Sequence, residues 1–474
     1  MIKFTGKNIS ILQVVLIIIL GVLIYSNCSD GGFIWDDHGL IKDNNYIKSW
    51  SNFPKVITAD FGAGGGTRSS FYRPLQMLMH MAGYSWWGIK TTGYHLTSIF
   101  THILAAIIFY FFLRNIFYNK TIAFLASLLF LSFPANTEAV CYISGLGDPL
   151  VLVFILACLI FHIKSLDSRK IGLHIFALLS FVLALLSKEN SVVLPLLILL
   201  YHYAFGKKLP VQKLMRFFVV LIGYIFLRLA IANPLDRLIL APAGLWERVP
   251  VFFAGITEYL RLLVLPFDLH IEYANYLFKF TDAQAFLGLI LAFILMILAF
   301  IKRKAYPGVF FGAGWFFIAL LPVSNIYPIS YGFIMEHYLY VPALGFFIVL
   351  AVLFCRSFKN RAAALFFRFF VAGLIIAYPY LTFKQSEYWR SPIVFYKRTL
   401  QYSPFSWRFY NELGIEYADA GNSREAEIAY QRALLLNPDA VGIYYNLENL
   451  YRKTGNQEGL LATEKRVNAI TGVK

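Results

Sequence analysis

Two adjacent carboxylates, Asp36 and Asp37, stand in the stretch Gly32-Phe33-Ile34-Trp35-Asp36-Asp37-His38, just after an apolar run from Ile9 to Ile24. Acids this close to a membrane-length segment are costly and mark a functional site by default. Each also disfavours ionisation of the other, so one of the pair can accept a proton near neutral pH as a general base. A solvated loop or the first turn of a helix would carry the same two acids without any chemistry. The remaining polar clusters decide between these readings.

Those clusters are Arg73-Pro74-Leu75, Pro134-Ala135-Asn136-Thr137-Glu138, Gly145-Leu146-Gly147-Asp148, Ser187-Lys188-Glu189-Asn190 and Met335-Glu336-His337-Tyr338. The segments that must position them are apolar. The chain has 474 residues, 59% hydrophobic and only 14% charged, a composition that excludes a soluble fold and implies a polytopic helical membrane domain. Runs of near-spanning length occur at about 9–27, 94–114, 121–134, 148–164, 171–187, 190–205, 214–232, 284–301, 307–322, 338–355 and 362–381. The net charge of +16 would suggest nucleic acid in a soluble protein. Here Lys and Arg collect in loops that the positive-inside rule assigns to the cytoplasm, and no nucleic-acid partner is expected.

A twelfth candidate, 251–266, is short and contains Glu258 and Arg261. If it spanned, the Lys302-Arg303-Lys304 and Arg356…Arg361 clusters would point outward. If it lies at the interface or re-enters, those clusters join Arg114…Lys120, Lys164…Lys170 and Lys207…Arg216 on the cytoplasmic side. The second choice gives about eleven spans, N-terminus in and C-terminus out. It also gathers all the polar clusters on the outer face, together with the loop 37–93. Lys3 and Lys7 precede the first run, and no small-x-small site follows it, so the first span is read as uncleaved. The glycine run Gly62-Ala63-Gly64-Gly65-Gly66 lacks a Walker lysine and reads as a flexible loop. No CxxC or Cys/His cluster suggests zinc. Cys158 and Cys355 read as core residues, while Cys28 and Cys141 share the outer face and are the one candidate disulfide.

After Leu381 the chain becomes charged and amphipathic, so it divides into a membrane domain, 1–384, and a soluble unit, 385–474. Trp407, Tyr410, Leu413, Gly414, Tyr417, Gly421, Ala426, Tyr430, Ala433 and Pro438 fit the 34-residue tetratricopeptide repeat, and Tyr444, Leu447, Tyr451 and Gly455 form a weaker copy. The expected fold class is therefore all-α, with a short C-terminal α-solenoid that binds extended segments of a partner.

The ordered motifs resemble a family. Trp35-Asp36-Asp37, Tyr72-Arg73-Pro74-Leu75, Tyr94-His95-Leu96 with His102, Pro134-x-x-Thr137-Glu138, Gly145-x-Gly147-Asp148, Ser187-Lys188-Glu189 and Glu336-His337-Tyr338 are similar in order to the transmembrane-and-tetratricopeptide-repeat O-mannosyltransferases, within the GT-C glycosyltransferases. This chain has Asn136 where that family usually has His, and Leu146-Gly147 where it usually has Arg-Ala. The shorter repeat tail suggests a compact bacterial form in the inner membrane.

The resemblance implies inverting transfer of a monosaccharide, mannose or another hexose, from a polyprenyl-phosphate carrier to a hydroxyl. The acceptor would be a protein Ser/Thr or a glycan presented by the repeats. Such chemistry needs a base, here Asp36, with Asp37 positioning the acceptor or sharing the proton. It needs cations on the leaving phosphate, for which Arg73, Lys188 and His337 are the candidates. Glu138, Asp148, Glu189 and Glu336 would bind sugar hydroxyls or orient those cations. No metal or other cofactor is required, although the carboxylates are numerous enough to recruit a divalent ion. The structural alternatives are that Lys188 and Glu189 pair with each other, that Asp148 only starts a helix, and that His95 and His102 are packing residues. A transporter or a membrane-anchored scaffold is the competing functional class.

Overall fold

The computed structural model describes residues 6–168, 171–232, 244–273, 276–326, 332–356 and 360–472. Lys3 and Lys170 lie outside the described residues. Most of those described are helical, and no strand occurs among them.

Two compact units are present: 1–269 with 274–386, and 270–273 with 387–474. In the first, every apolar run forms a helix. In chain order the helices are α1 (Gly6–Ile24), α2 (Phe53–Thr58), α3 (Pro74–Trp87), α4 (Thr91–Phe117), α5 (Lys120–Leu131), α6 (Thr137–Cys141) and α7 (Gly147–Asp167). Next come α8 (Ile171–Ser187), α9 (Leu194–Ala204), α10 (Val211–Ala232) and α11 (Leu245–Val264). The last are α12 (Ala283–Ile301), α13 (Pro307–Leu320), α14 (Ala343–Phe354) and α15 (Arg361–Tyr388). The chain is a multi-pass membrane protein. α4, α7, α10, α12 and α15 are long and apolar enough to cross a bilayer, and α5 with α6 forms a sixth candidate bent by 55°. α1, α8, α13 and α14 are shorter apolar helices. The 251–266 candidate lies in α11, a 20-residue helix that packs beside α12.

Burial sorts these helices. In α7, 78% of the apolar window is buried inside the protein, whereas in α10 and α15 only 17% is. α7 is thus central, packed on α4 and α8, and the apolar outer faces of α10, α12 and α15 are left for lipid. Hydrophobic burial does not drive helix association in lipid, so packing and internal hydrogen bonds specify the arrangement. His102 on α4 shows this: its ring bonds Tyr340 Oη at 2.6 Å and the Leu131 carbonyl at 3.1 Å. Trp315 Nε1 donates to the Val341 carbonyl at 2.9 Å, and Thr382 Oγ1 to the Ser132 carbonyl at 2.7 Å. His95 bonds the Gly31 carbonyl at 3.1 Å, tethering the acidic loop to α4.

The loop 37–93 is folded onto this frame. Its glycine run, expected to be flexible, forms a tight turn at Ala63–Gly65. A Cβ on Gly64 would sit 1.9 Å from Asn44 Oδ1, so the glycine there serves close packing. Asp60 Oδ1 accepts from the Gly62 and Ser69 amides, both at 2.9 Å, and closes the turn. All four cysteines are free, and Cys355 is exposed, not a core residue.

The second unit contains α16 (Pro392–Tyr402), α17 (Trp407–Asp419), α18 (Ser423–Leu436), α19 (Val441–Thr454) and α20 (Gln457–Thr471). α17 and α19 start at 407 and 441, and α18 and α20 at 423 and 457, a 34-residue spacing in both cases. Ala426, Tyr430, Ala433, Ile443, Leu447 and Leu450 form its core.

Candidate active site

The acidic loop is turned by Trp35, which holds φ at 52°. Left-handed backbone is rare for a bulky side chain, and such outliers concentrate at functional sites. The turn separates the two carboxylates. Asp37 is buried; Oδ1 accepts from the Ser144 amide at 2.8 Å and the Ser144 hydroxyl at 2.5 Å, and Oδ2 from the Ile34 amide at 3.0 Å. Burial pushes its pKa up to about 7, against the lowering effect of those donors and with a contribution from the Asp36 charge. Asp36 is exposed, yet enough protein surrounds it for desolvation to raise its pKa. Tyr142 bonds its carboxylate and accepts from its amide at 3.1 Å, and the charges of Arg73 and His337 act on it in the opposite sense to burial.

Three ion pairs join distant parts of the chain here. Arg73, just before α3, clamps Glu189 with two donors: Nε to Oε2 at 2.9 Å and Nη2 to Oε1. Its guanidinium lies over Phe71, 4.4 Å from the ring centroid. Burial by itself would raise the Glu189 carboxyl, but Arg73 holds it well below the usual carboxylate range. Lys188 Nζ binds Asp148 Oδ2 at 2.6 Å, with both side chains buried. His337 binds Glu138 through Nδ1 at 2.7 Å and through its amide at 2.8 Å. Lys188 and Glu189 therefore do not pair with each other. Asp148 opens α7 and also carries a cation, and Glu336 is buried in the turn that carries His337.

The pairs are not saturated. Among the described residues, Arg73 Nη1 and His337 Nε2 make no hydrogen bond, and buried Asp148 Oδ1 has no partner. Such groups suit a ligand with an acceptor oxygen at Arg73 Nη1 and a donor hydroxyl at Asp148 Oδ1, while the tautomer of the His337 ring decides what its Nε2 takes. No group of three or more acids, histidines or cysteines forms a metal-holding cluster among the described residues.

Several residues of this site were not singled out in the sequence. Ser144 and Tyr142 lock the acidic loop. Gln76 donates to the Ser144 carbonyl at 2.8 Å while its Oε1 lacks a partner. A Cβ on Gly147 would meet that Oε1 at 2.5 Å, so a larger residue where α7 begins would displace the Gln76 amide. Tyr224 and Arg228 of α10 bring a phenol and a guanidinium Nε without partners to the neighbourhood of Glu189. The only sequence signal for Arg228 was a lone cation in an apolar run.

Comparison with known proteins finds relatives along most of the chain. The chain is 28% identical over 458 residues to a protein O-mannosyl-transferase of Caenorhabditis elegans, covering 92% of this chain and 64% of that protein. It is 25% identical over 494 residues to human protein O-mannosyl-transferase TMTC1, covering 91% and 56%. The chain resembles the protein O-mannosyl-transferases. It spans less than two-thirds of those relatives' own lengths. No family model matches. Among solved structures, ArnT from Cupriavidus metallidurans bound to undecaprenyl phosphate aligns with a TM-score of 0.45 at 14% identity, over 94% of this chain and 81% of that one.

Proposed function

We propose that the chain is an inverting glycosyltransferase. It moves one monosaccharide, mannose or another hexose, from a polyprenyl-phosphate carrier to a hydroxyl, with a protein Ser/Thr as acceptor. The observation that carries this reading is the meeting of an exposed carboxylate of raised pKa, Asp36, with the charges of Arg73 and His337. Similarity to the protein O-mannosyl-transferases supports the class of reaction.

In this mechanism Asp36 takes the proton of the acceptor hydroxyl as the oxygen attacks the anomeric carbon. The bond from that carbon to the phosphate oxygen breaks on the opposite side, inverting the centre. The electron pair leaves with the polyprenyl phosphate, whose growing charge is met by Arg73 Nη1 and His337 Nε2. Asp37, held by Ser144, fixes the loop and adds negative charge beside Asp36. Glu189 and Glu138 aim the cations, Lys188 holds Asp148, and Asp148 and Glu336 supply acceptors for sugar hydroxyls. The site lies on the extracytoplasmic face of a bacterial inner membrane with the N-terminus inside. The second unit is an extracytoplasmic tetratricopeptide unit that presents the acceptor; its 34-residue helix spacing supports the repeat itself.

Intact-mass analysis of envelope proteins and glycans from a deletion strain tests the reading. Loss of a hexose-sized increment from proteins is the expected result. Loss from a glycan alone would reassign the acceptor, and no change in either would remove the enzyme reading.

A further inference from the structure

At the end of the bundle opposite Asp148 there is a cavity with a cationic wall that the proposed transfer does not use. Its volume is about 500 Å³, within the range of small-molecule sites. Asp148 opens α7, whereas Ile163, Leu166 and Asp167 near its C-terminus line the cavity. At 1.5 Å per residue the two sites are roughly 25 Å apart.

Lys207, Lys208 and Lys213 line this cavity, together with Asn115, Tyr118 and Tyr201. Among the described residues none of the three lysines forms an ion pair. Among the described residues of the wall Asp167 is the single acid, so their three positive charges and one negative leave a net +2. The segment carrying the lysines is held in place. The Lys207 amide donates to the His202 carbonyl at 2.9 Å, and the His202 ring to the Lys207 carbonyl at 3.3 Å. Lys213 Nζ donates to the Ser165 carbonyl at 2.6 Å and to its hydroxyl at 3.2 Å. The Lys207 backbone and the Lys213 side chain are therefore fixed in advance of any ligand.

Its surroundings indicate what it takes. Tyr118 ends apolar α4 and is 88% exposed, and Tyr203, near the end of α9, is 57% exposed. Exposed tyrosines at the ends of apolar helices mark the depth of lipid headgroups, and cationic pockets between membrane helices on the positively charged side take phosphate-bearing ones.

We infer that this cavity binds the headgroup of an anionic phospholipid on the face opposite the transfer site. The test uses the full chain in detergent, with phosphatidylglycerol and phosphatidylcholine as probes, followed by native mass spectrometry and thermal melting. One phosphatidylglycerol is retained per chain and raises the wild-type Tm, while phosphatidylcholine does neither. The double variant Lys207→Gln/Lys208→Gln weakens retention about 25-fold, at about fivefold per lysine. A matched pair on another cationic loop, Lys302→Gln/Lys304→Gln, leaves retention unchanged. Equal losses in the two double variants, no loss in the first, or a wild-type Tm that does not distinguish the two lipids would overturn the inference. So would a cavity that takes glycerol 3-phosphate or inorganic phosphate and not the lipid.

Discussion

Replacing Asp36 by asparagine removes a proton acceptor while keeping the side chain's size. Asp36 is exposed and its partner is Tyr142, to which an amide also bonds. The loss of stability should stay near 0.5 kcal/mol, as for other surface changes. A positioned general base contributes about 10²–10⁴ in rate, or roughly 2.7–5.4 kcal/mol of barrier at 1.36 kcal/mol per tenfold. The assay is single-turnover transfer by purified protein from polyprenyl-phosphate hexose to acceptor, with donor binding and Tm measured on the same samples. Transfer should fall at least a hundredfold with donor affinity and Tm near wild type. Asp37→Asn supplies the contrast. It sets an amide where the carboxylate accepts from Ile34 and Ser144, and each buried group left unsatisfied costs about 1–3 kcal/mol, so Tm should drop. If Asp36→Asn keeps more than a tenth of wild-type transfer, Asp36 is not the base.

Burial raises the pKa of Asp36 above the usual carboxylate range and brings that of Asp37 to about 7, so the base loses its charge at a higher pH than a solvated carboxylate would. The acid limb of the transfer pH profile should therefore lie above that of a solvated carboxylate, and a limb at the ordinary carboxylate position would contradict this. The same shift makes the folded state bind more protons than the unfolded chain between about pH 4 and 7, so Asp37 lowers stability as pH rises through that window. Tm measured at pH 5 and 7 should therefore differ less in Asp37→Asn than in wild type. Arg73→Lys exchanges a two-donor clamp on Glu189 for a point charge, and kcat/KM for the lipid-phosphate donor should fall roughly 10–100-fold. Lys188→Met strands Asp148 as a buried charge and should cost about 3–5 kcal/mol. The double variant Lys188→Met/Asp148→Asn should recover most of the lost Tm without recovering transfer. Prolonged EDTA treatment should leave transfer intact.

Local chemistry carried much of this protein into view before any coordinates. Hydropathy marks the apolar runs because lipid exposure demands uninterrupted nonpolar faces. The adjacent acids Asp36 and Asp37 stand out because nothing in a span requires them, and the 34-residue spacing of Trp407 to Val441 is periodic along the chain itself. What a linear reading leaves open is partnership. Arg73 and Glu189 are 116 residues apart and Glu138 and His337 are 199 apart, so only helix packing selects which acid meets which cation. Lys188 and Glu189, neighbours in sequence, face different partners because a turn begins between them. Ser144, Gln76 and Tyr224 are ordinary residues by type, and they matter here through burial and distance alone. The division of labour between Asp36 and Asp37 depends on the left-handed turn at Trp35 and on the Ser144 donors. Solvent access and hydrogen bonding set a carboxylate's proton affinity, and both belong to the folded surroundings.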